Sequence, residues 1–215
     1  MELLPSIASA DQMHLQAELE SIENWPYLHI DIEDGNFVPN ISFGMKTVSA
    51  ICKHAGKKAI DVHLMTTNPL FWLEQLDGKN VRRVAAHIEA LPFPMQFINR
   101  AHALGMEAGL ALNLKSIGVE TEPFWEIADY LIVMTSEPDF AGEALYRPAL
   151  DKALSLARRL PESLALYADG GLTPEAVREL SAAGAAGAIL GRLVFSAKSP
   201  LQVLNDLYAA VNRRD

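Results

Sequence analysis

Short apolar runs alternate with longer amphipathic stretches along the whole chain. The runs at residues 3–7, 27–32, 59–65, 83–88, 107–112, 130–134, 163–168 and 186–190 have strand length, and most are rich in Leu, Ile, Val or aromatic residues. The stretches between them carry helix signals. In Asn68-Pro69, Thr173-Pro174 and Ser199-Pro200 a capping side chain precedes a proline, whose missing N–H costs nothing at the first helical position. Ala182-Ala183-Gly184 supplies a stop. About eight strand–helix units in this length predict one α/β domain over residues 1–215, a closed parallel (β/α)8 TIM barrel. An open doubly wound sheet alternates too, but about five or six strands usually suffice there. The weakest helix is residues 119–127, which is short and contains Pro123.

Polar residues within the strands change the picture. From Leu28 to Gly35 the alternation is strict, so His29, Asp31 and Glu33 share one face while Ile30 and Ile32 share the other. Barrel strands are covered on both sides, and burying unpaired charge costs several kcal/mol. A bound cation is one remedy, and a solvated edge strand is the alternative. His63 falls near the end of the run Asp61-Val62-His63-Leu64-Met65, and Asp169 opens Asp169-Gly170-Gly171, which alone reads as a turn. His29, Asp31, His63 and Asp169 all lie at or near strand C-termini, the end where barrel active sites form. Two imidazoles and two carboxylates suit one divalent ion, with Zn²⁺, Mn²⁺ and Fe²⁺ all acceptable.

Composition removes several other classes. The 215 residues are 50% hydrophobic, enough for an independent core, and 18 basic against 27 acidic residues give a net charge of −9. That balance argues against a nucleic-acid or anionic-membrane binder. Cys52 is the single cysteine, so no internal disulfide exists. The N-terminus lacks the basic start and apolar run of a signal peptide, and no apolar stretch approaches the roughly 20 residues of a membrane span. A cytoplasmic location is expected.

A family resemblance emerges from the motifs Pro5-Ser6-Ile7, His29-Ile30-Asp31-Ile32-Glu33-Asp34-Gly35-Asn36-Phe37-Val38-Pro39-Asn40, Asp61-Val62-His63-Leu64-Met65, His87-Ile88-Glu89-Ala90, Val133-Met134-Thr135 and Asp169-Gly170-Gly171. In this order and spacing they resemble the ribulose-phosphate 3-epimerase family. The Ile-Glu-Asp, Ser-Glu-Pro-Asp and Gly-Arg variants look like a divergent branch of sugar-phosphate epimerases. The resemblance implies a ribulose-phosphate-binding barrel and a metal-dependent epimerase that inverts the carbon beside the carbonyl of a ketose phosphate. It implies His29, Asp31, His63 and Asp169 as ligands of one divalent ion, Zn²⁺ foremost, and Asp31 and Asp169 as the acid–base pair. Ser6, Met65 and Met134 then occupy substrate-pocket positions. Two carboxylates on opposite sides of a flat enediolate can each alternate between base and acid.

Three departures from the family pattern bear on the substrate. Glu33 stands where the family usually has methionine; it can ligate the metal, bind a substrate hydroxyl or pair with a cation. The loop Glu137-Pro138-Asp139-Phe140-Ala141-Gly142-Glu143 replaces a glycine-rich phosphate cradle, with Gly142 still expected to bind substrate. A carboxylate about 4 Å from a phosphate costs about 4 kcal/mol per unit charge at an effective dielectric near 20, so Asp139 and Glu143 must turn away or the ligand's tail is not an ordinary phosphate. Gly191-Arg192 stands where the family has Gly-Ser. Arg192, with the N–H groups of Gly170, Gly171 and Gly191, is expected to take over phosphate binding; a surface pair with Asp139 or Glu143 is the alternative. Residues 36–44 are expected to form a lid. A barrel aldolase or decarboxylase competes with this reading, but such enzymes place a lysine at a strand end, and Lys115 and Lys198 fall in loops. A catalytically silent sugar-phosphate-binding barrel also competes; the intact Asp31 and Asp169 argue against it. Apolar loops at the barrel mouth predict a homo-oligomer.

Overall fold

The computed structural model describes residues 1–138 and 144–212. Its strands are β1 (Glu2–Pro5), β2 (Tyr27–Glu33), β3 (Ala59–Met65), β4 (Arg83–His87), β5 (Glu107–Leu112), β6 (Tyr130–Met134), β7 (Ala165–Asp169) and β8 (Gly187–Leu190). From β2 onward each pairs in parallel with the next, and β8 returns to β1 with Glu2 opposite Gly187. The ring closes between β1 and β2 through a parallel bridge from Ser6 to His29. This is the barrel that the alternation predicts.

Outside the strands lie α1 (Leu15–Ser21), α2 (Met45–His54), α3 (Pro69–Glu74), α4 (Pro94–Ala103), α5 (Arg147–Ala157), α6 (Pro174–Ala182), α7 (Arg192–Phe195) and α8 (Pro200–Asn212). The Asn68 side chain accepts from Phe71 N, and Thr173 Oγ1 accepts from Ala176 N, so two of the expected caps form. Residues 119–127 give no α-helix. Val119–Phe124 is a 3-10 helix instead, because the run is short and Pro123 has no N–H to donate. Lys152 of α5 secures this connection: its Nζ donates to the carbonyls of Asn113, Leu114 and Ser116 at 2.8, 3.3 and 2.9 Å.

Period-two alternation divides the core. Outward residues such as Ile30, Ile32, Val62, Leu64, Leu110 and Val133 merge with the helix faces into one buried cluster. Each such side chain contributes roughly 1.5–3 kcal/mol on full burial. Inward residues form a second cluster that includes Leu4, Ala85, Ala111, Ile132 and Ile189. At the N-terminal end of the barrel this interior is charged. Arg83 Nη1 donates to Glu2 Oε2 at 2.9 Å, Arg83 Nε lies 3.4 Å from Asp61 Oδ2, and the Tyr130 hydroxyl donates to Asp61 Oδ1 at 3.1 Å. Gly109 and Gly187 make room for this floor, since a Cβ at either would strike the ring of Tyr130 or Tyr167.

Replacing Lys152 with Met keeps the stem and strands the three carbonyls. The expected loss is about 1–3 kcal/mol, read as a lower urea midpoint at unchanged slope.

Candidate active site and metal centre

The barrel mouth gathers His29 and Asp31 from β2, His63 from β3 and Asp169 from β7. One donor atom from each lies within 4.8 Å of all the others. His29 Nε2 is 3.0 Å from Asp31 Oδ1, and His63 Nδ1 is 3.4 Å from both Asp31 Oδ1 and Asp169 Oδ2. Ser6 Oγ donates to Asp31 Oδ2 at 2.5 Å. His63 Nδ1 is fully buried without a hydrogen-bond partner and faces two carboxylates. Two nitrogens and two carboxylates around one point are a donor set that fits a divalent cation.

Burial opposes charge throughout this cluster, and local partners decide each outcome. Burial works to raise Asp31, but His29 and His63 outweigh it and hold the carboxyl far below the usual carboxylate range. Asp169 is raised, by burial first and then by the charge of Asp31. Burial disfavours charged His63, but the adjacent carboxylates of Asp169 and Asp31 favour its protonated ring and push it up to about 9. Burial and the neighbouring Asp31 push Glu33 up to about 7.

Above the cluster opens a cavity of about 630 Å³, lined by Asp31, Glu33, Met65, Met134, Asp169, Gly170, Gly171, Gly191 and Arg192 among others. Most of the residues expected to bind substrate are thus brought together. Ser6 is buried and absent from this lining, and touches Asp31 from behind. Gly142, with Asp139 and Glu143, lies outside the described residues. Glu33 is not among the four clustered donors; its Oε2 accepts from Asn40 Nδ2 at 2.8 Å. Arg192 is exposed at the start of α7. Gly170 has φ +113°, and a Cβ there would sit 2.7 Å from Ser136 N, so only glycine lets this turn approach its neighbour so closely.

Residues 36–44 fold back over the site. Asp34 Oδ1 accepts from the N–H groups of Asn36 and Phe37 at 2.9 and 2.8 Å, and Gly35 N donates to Asn40 O at 2.9 Å. Ser42 Oγ then donates to the Asp31 carbonyl at 2.6 Å. Asn40 and Ser42 line the cavity, and the Phe37 ring lies 4.8 Å from that of His87. His87 and Glu89 received no role from the sequence. The signal was present: on β4, Arg83, Ala85 and His87 share the inward face by the same period-two rule that selected His29 and Asp31.

A sequence model of the "Ribulose-phosphate 3 epimerase family" matches residues 2–195. The chain belongs to the ribulose-phosphate 3-epimerase family. It is therefore an isomerase of the epimerase class acting on carbohydrates. Curated members of the family include ribulose-phosphate 3-epimerases of Schizosaccharomyces pombe, 33% identical over 98% of this chain and 93% of that protein, and of Helicobacter pylori, 30% identical over 92% of each. The cytoplasmic isoform from Oryza sativa is 32% identical over 98% of this chain and 94% of that protein. Among solved structures, 3-hexulose-6-phosphate synthase from Salmonella typhimurium superposes with a TM-score of 0.72 at 13% identity, covering 98% of each chain. Orotidine 5'-phosphate decarboxylase from Pyrococcus horikoshii gives 0.71 at 14% identity, covering 99% of this chain and 100% of that one. At such identity these two share the fold alone. Among the described residues, no helix is long and apolar enough to cross a membrane.

In metal-free protein His63 is expected to titrate near 9. Its folded value lies above the unfolded imidazole value of about 6.5, so the stability that it contributes is complete below about 6.5 and is lost as pH rises through about 9. Ring-proton NMR alongside thermal unfolding at increasing pH checks this; a His63 midpoint at or below the free-imidazole value refutes it.

Proposed function

We propose that the chain epimerises a ketose phosphate at the carbon beside the carbonyl, using Asp31 and Asp169 as the proton-transfer pair around a divalent metal. The observation that carries the reading is the placement of these two carboxylates, each 3.4 Å from His63 Nδ1, within one cluster of four candidate metal donors. Asp31 is held ionised, as a base must be, while Asp169 is biased toward its protonated form, as an acid must be. Asp31 removes the proton from one face of the substrate and Asp169 returns one to the other; the reverse reaction exchanges the roles. His29, Asp31, His63 and Asp169 would hold the metal, which when bound supplies positive charge for the oxyanion that develops as the proton leaves. Ser6 and His29 fix the Asp31 oxygens. Met65 and Met134, both buried, give the site apolar walls that exclude water.

Arg192 and the N–H groups of Gly170, Gly171 and Gly191 take the phosphate in this reading; all four residues line the same cavity. The substrate classes are pentulose and hexulose phosphates, with ribulose 5-phosphate the first to test because the curated relatives carry that name. The proposed setting is the cytoplasm, in keeping with the rice isoform.

Incubation with ribulose 5-phosphate and then hexulose phosphates in deuterium oxide is expected to place deuterium at the carbon next to the ketone. Tight binding without exchange would instead favour a silent binding barrel. Asp31→Asn and Asp169→Asn are each expected to lower kcat by about 10²–10⁴-fold. Arg192→Ala is expected to raise KM for the phosphorylated sugar about tenfold or more with little change in kcat; an unchanged KM would remove Arg192 from the phosphate site.

A further inference from the structure

His63 and His87 are both completely buried, and their Nε2 atoms lie 3.0 Å apart with ring planes within 20° of each other. Two facing ring nitrogens at that distance share one proton, so one must donate and the other accept. The outer nitrogens decide which. His87 Nδ1 lies 3.3 Å from Glu89 Oε2, and neither buried atom is hydrogen-bonded elsewhere, so each is the other's nearest charged or polar complement. Glu89 Oε1 is already occupied, accepting from Asn113 N at 2.9 Å and from Ser116 Oγ. Glu89 is thereby anchored as an acceptor at the turn Ile88–Ala90 that follows β4.

We infer that His87 and Glu89 hold the Nε2 proton of His63 in place, so that Nδ1, between Asp31 and Asp169, is the nitrogen that gives up its proton to a metal, and that this relay sets the metal affinity of the site. The inference rests on the metal-binding reading above. The order runs inward from the carboxylate. With the His87 proton on Nδ1, directed at the Glu89 carboxylate 3.3 Å away, a lone pair is left on His87 Nε2. His63 Nε2–H donates to that lone pair, which leaves His63 Nδ1 free to ligate. The reverse order places a lone pair on His87 Nδ1 against the Glu89 carboxylate and a proton on the nitrogen that must bind the metal. Both consequences are unfavourable. Phe37, with its ring 4.8 Å from that of His87, covers the relay. The other candidate imidazole ligand has a looser support: His29 Nδ1 is 3.9 Å from Asp61 Oδ2, an oxygen already 3.4 Å from Arg83 Nε. His87 and Glu89 are thus positioning residues, acting on the metal through His63.

The test is zinc binding to the full chain by competition with a chelator, with thermal unfolding of each metal-free variant as the control for folding. His87→Leu is expected to weaken zinc binding about 10–100-fold. His87→Gln, whose carbonyl can accept the His63 Nε2 proton, is expected to recover most of that loss, a rescue that a purely structural role would not produce. Glu89→Gln must turn an N–H₂ toward either His87 or Asn113 N, and is expected to lose several-fold; it serves in place of His87→Leu if that variant does not fold. Ring ¹⁵N spectra of the zinc-loaded protein should show His63 protonated at Nε2. A folded His87→Leu protein, or in its place Glu89→Gln, with wild-type zinc affinity overturns the relay and leaves the metal site standing. Wild-type protein that binds no zinc overturns the site reading and the relay together.

Discussion

The constraint on which the rest depends is the close approach of two carboxylates, the buried Asp31 and the half-buried Asp169, at one end of a closed ring of strands. Left alone, two like charges that close repel, and withdrawing each from water is costly. The protein answers with imidazoles. His63 sits between the acids, His29 sits beside Asp31, and Ser6 fixes the remaining Asp31 oxygen. The balance is deliberately uneven. Without a metal the imidazoles favour the anion of Asp31, while burial and the charge of Asp31 raise Asp169.

Charge is handled differently at the opposite end. Arg83 lies between Glu2 and Asp61, with the Tyr130 and Tyr167 hydroxyls filling out the hydrogen bonding. The site at the mouth is built from groups that can gain or lose a proton or bind a cation. The floor holds a guanidinium, which stays charged under all ordinary conditions. Between them the inward residues are mainly apolar, so the reactive end rests on a packed layer above one permanent cation. Asp61 joins the two levels, because its Oδ2 faces both Arg83 and His29.

Much of this was legible in the sequence, for physical reasons that differ by element. Periodicity located all eight strands to within a residue or two because their alternate faces must pack on two different cores. His29, Asp31, His63 and Asp169 stood out because ionisable groups rarely occupy buried strand positions. The helix expected at 119–127 failed because nothing in its short run offsets the cost of Pro123, and Lys152, distant in sequence, does the work of holding the connection. Arg83 and the His87–Glu89 pair were passed over because their partners lie on other strands and loops: Glu2, Asp61 and Tyr167 for the one, His63, Asn113 and Ser116 for the other. A single sequence does not reveal which inward residues meet across a barrel.

The bridge between Ser6 and His29 has a consequence for assembly. The circle of strands is joined there by that bridge, whereas neighbouring strands elsewhere share registers of three to seven residue pairs. This seam runs directly under the mouth, and both of its residues touch Asp31. The four donors come from β2, β3 and β7, on both sides of this seam, so the cage is complete only in the closed ring. A cation held there would tie β2 and β3 to β7 across the mouth beside this seam, and its binding energy would count toward keeping the whole barrel folded.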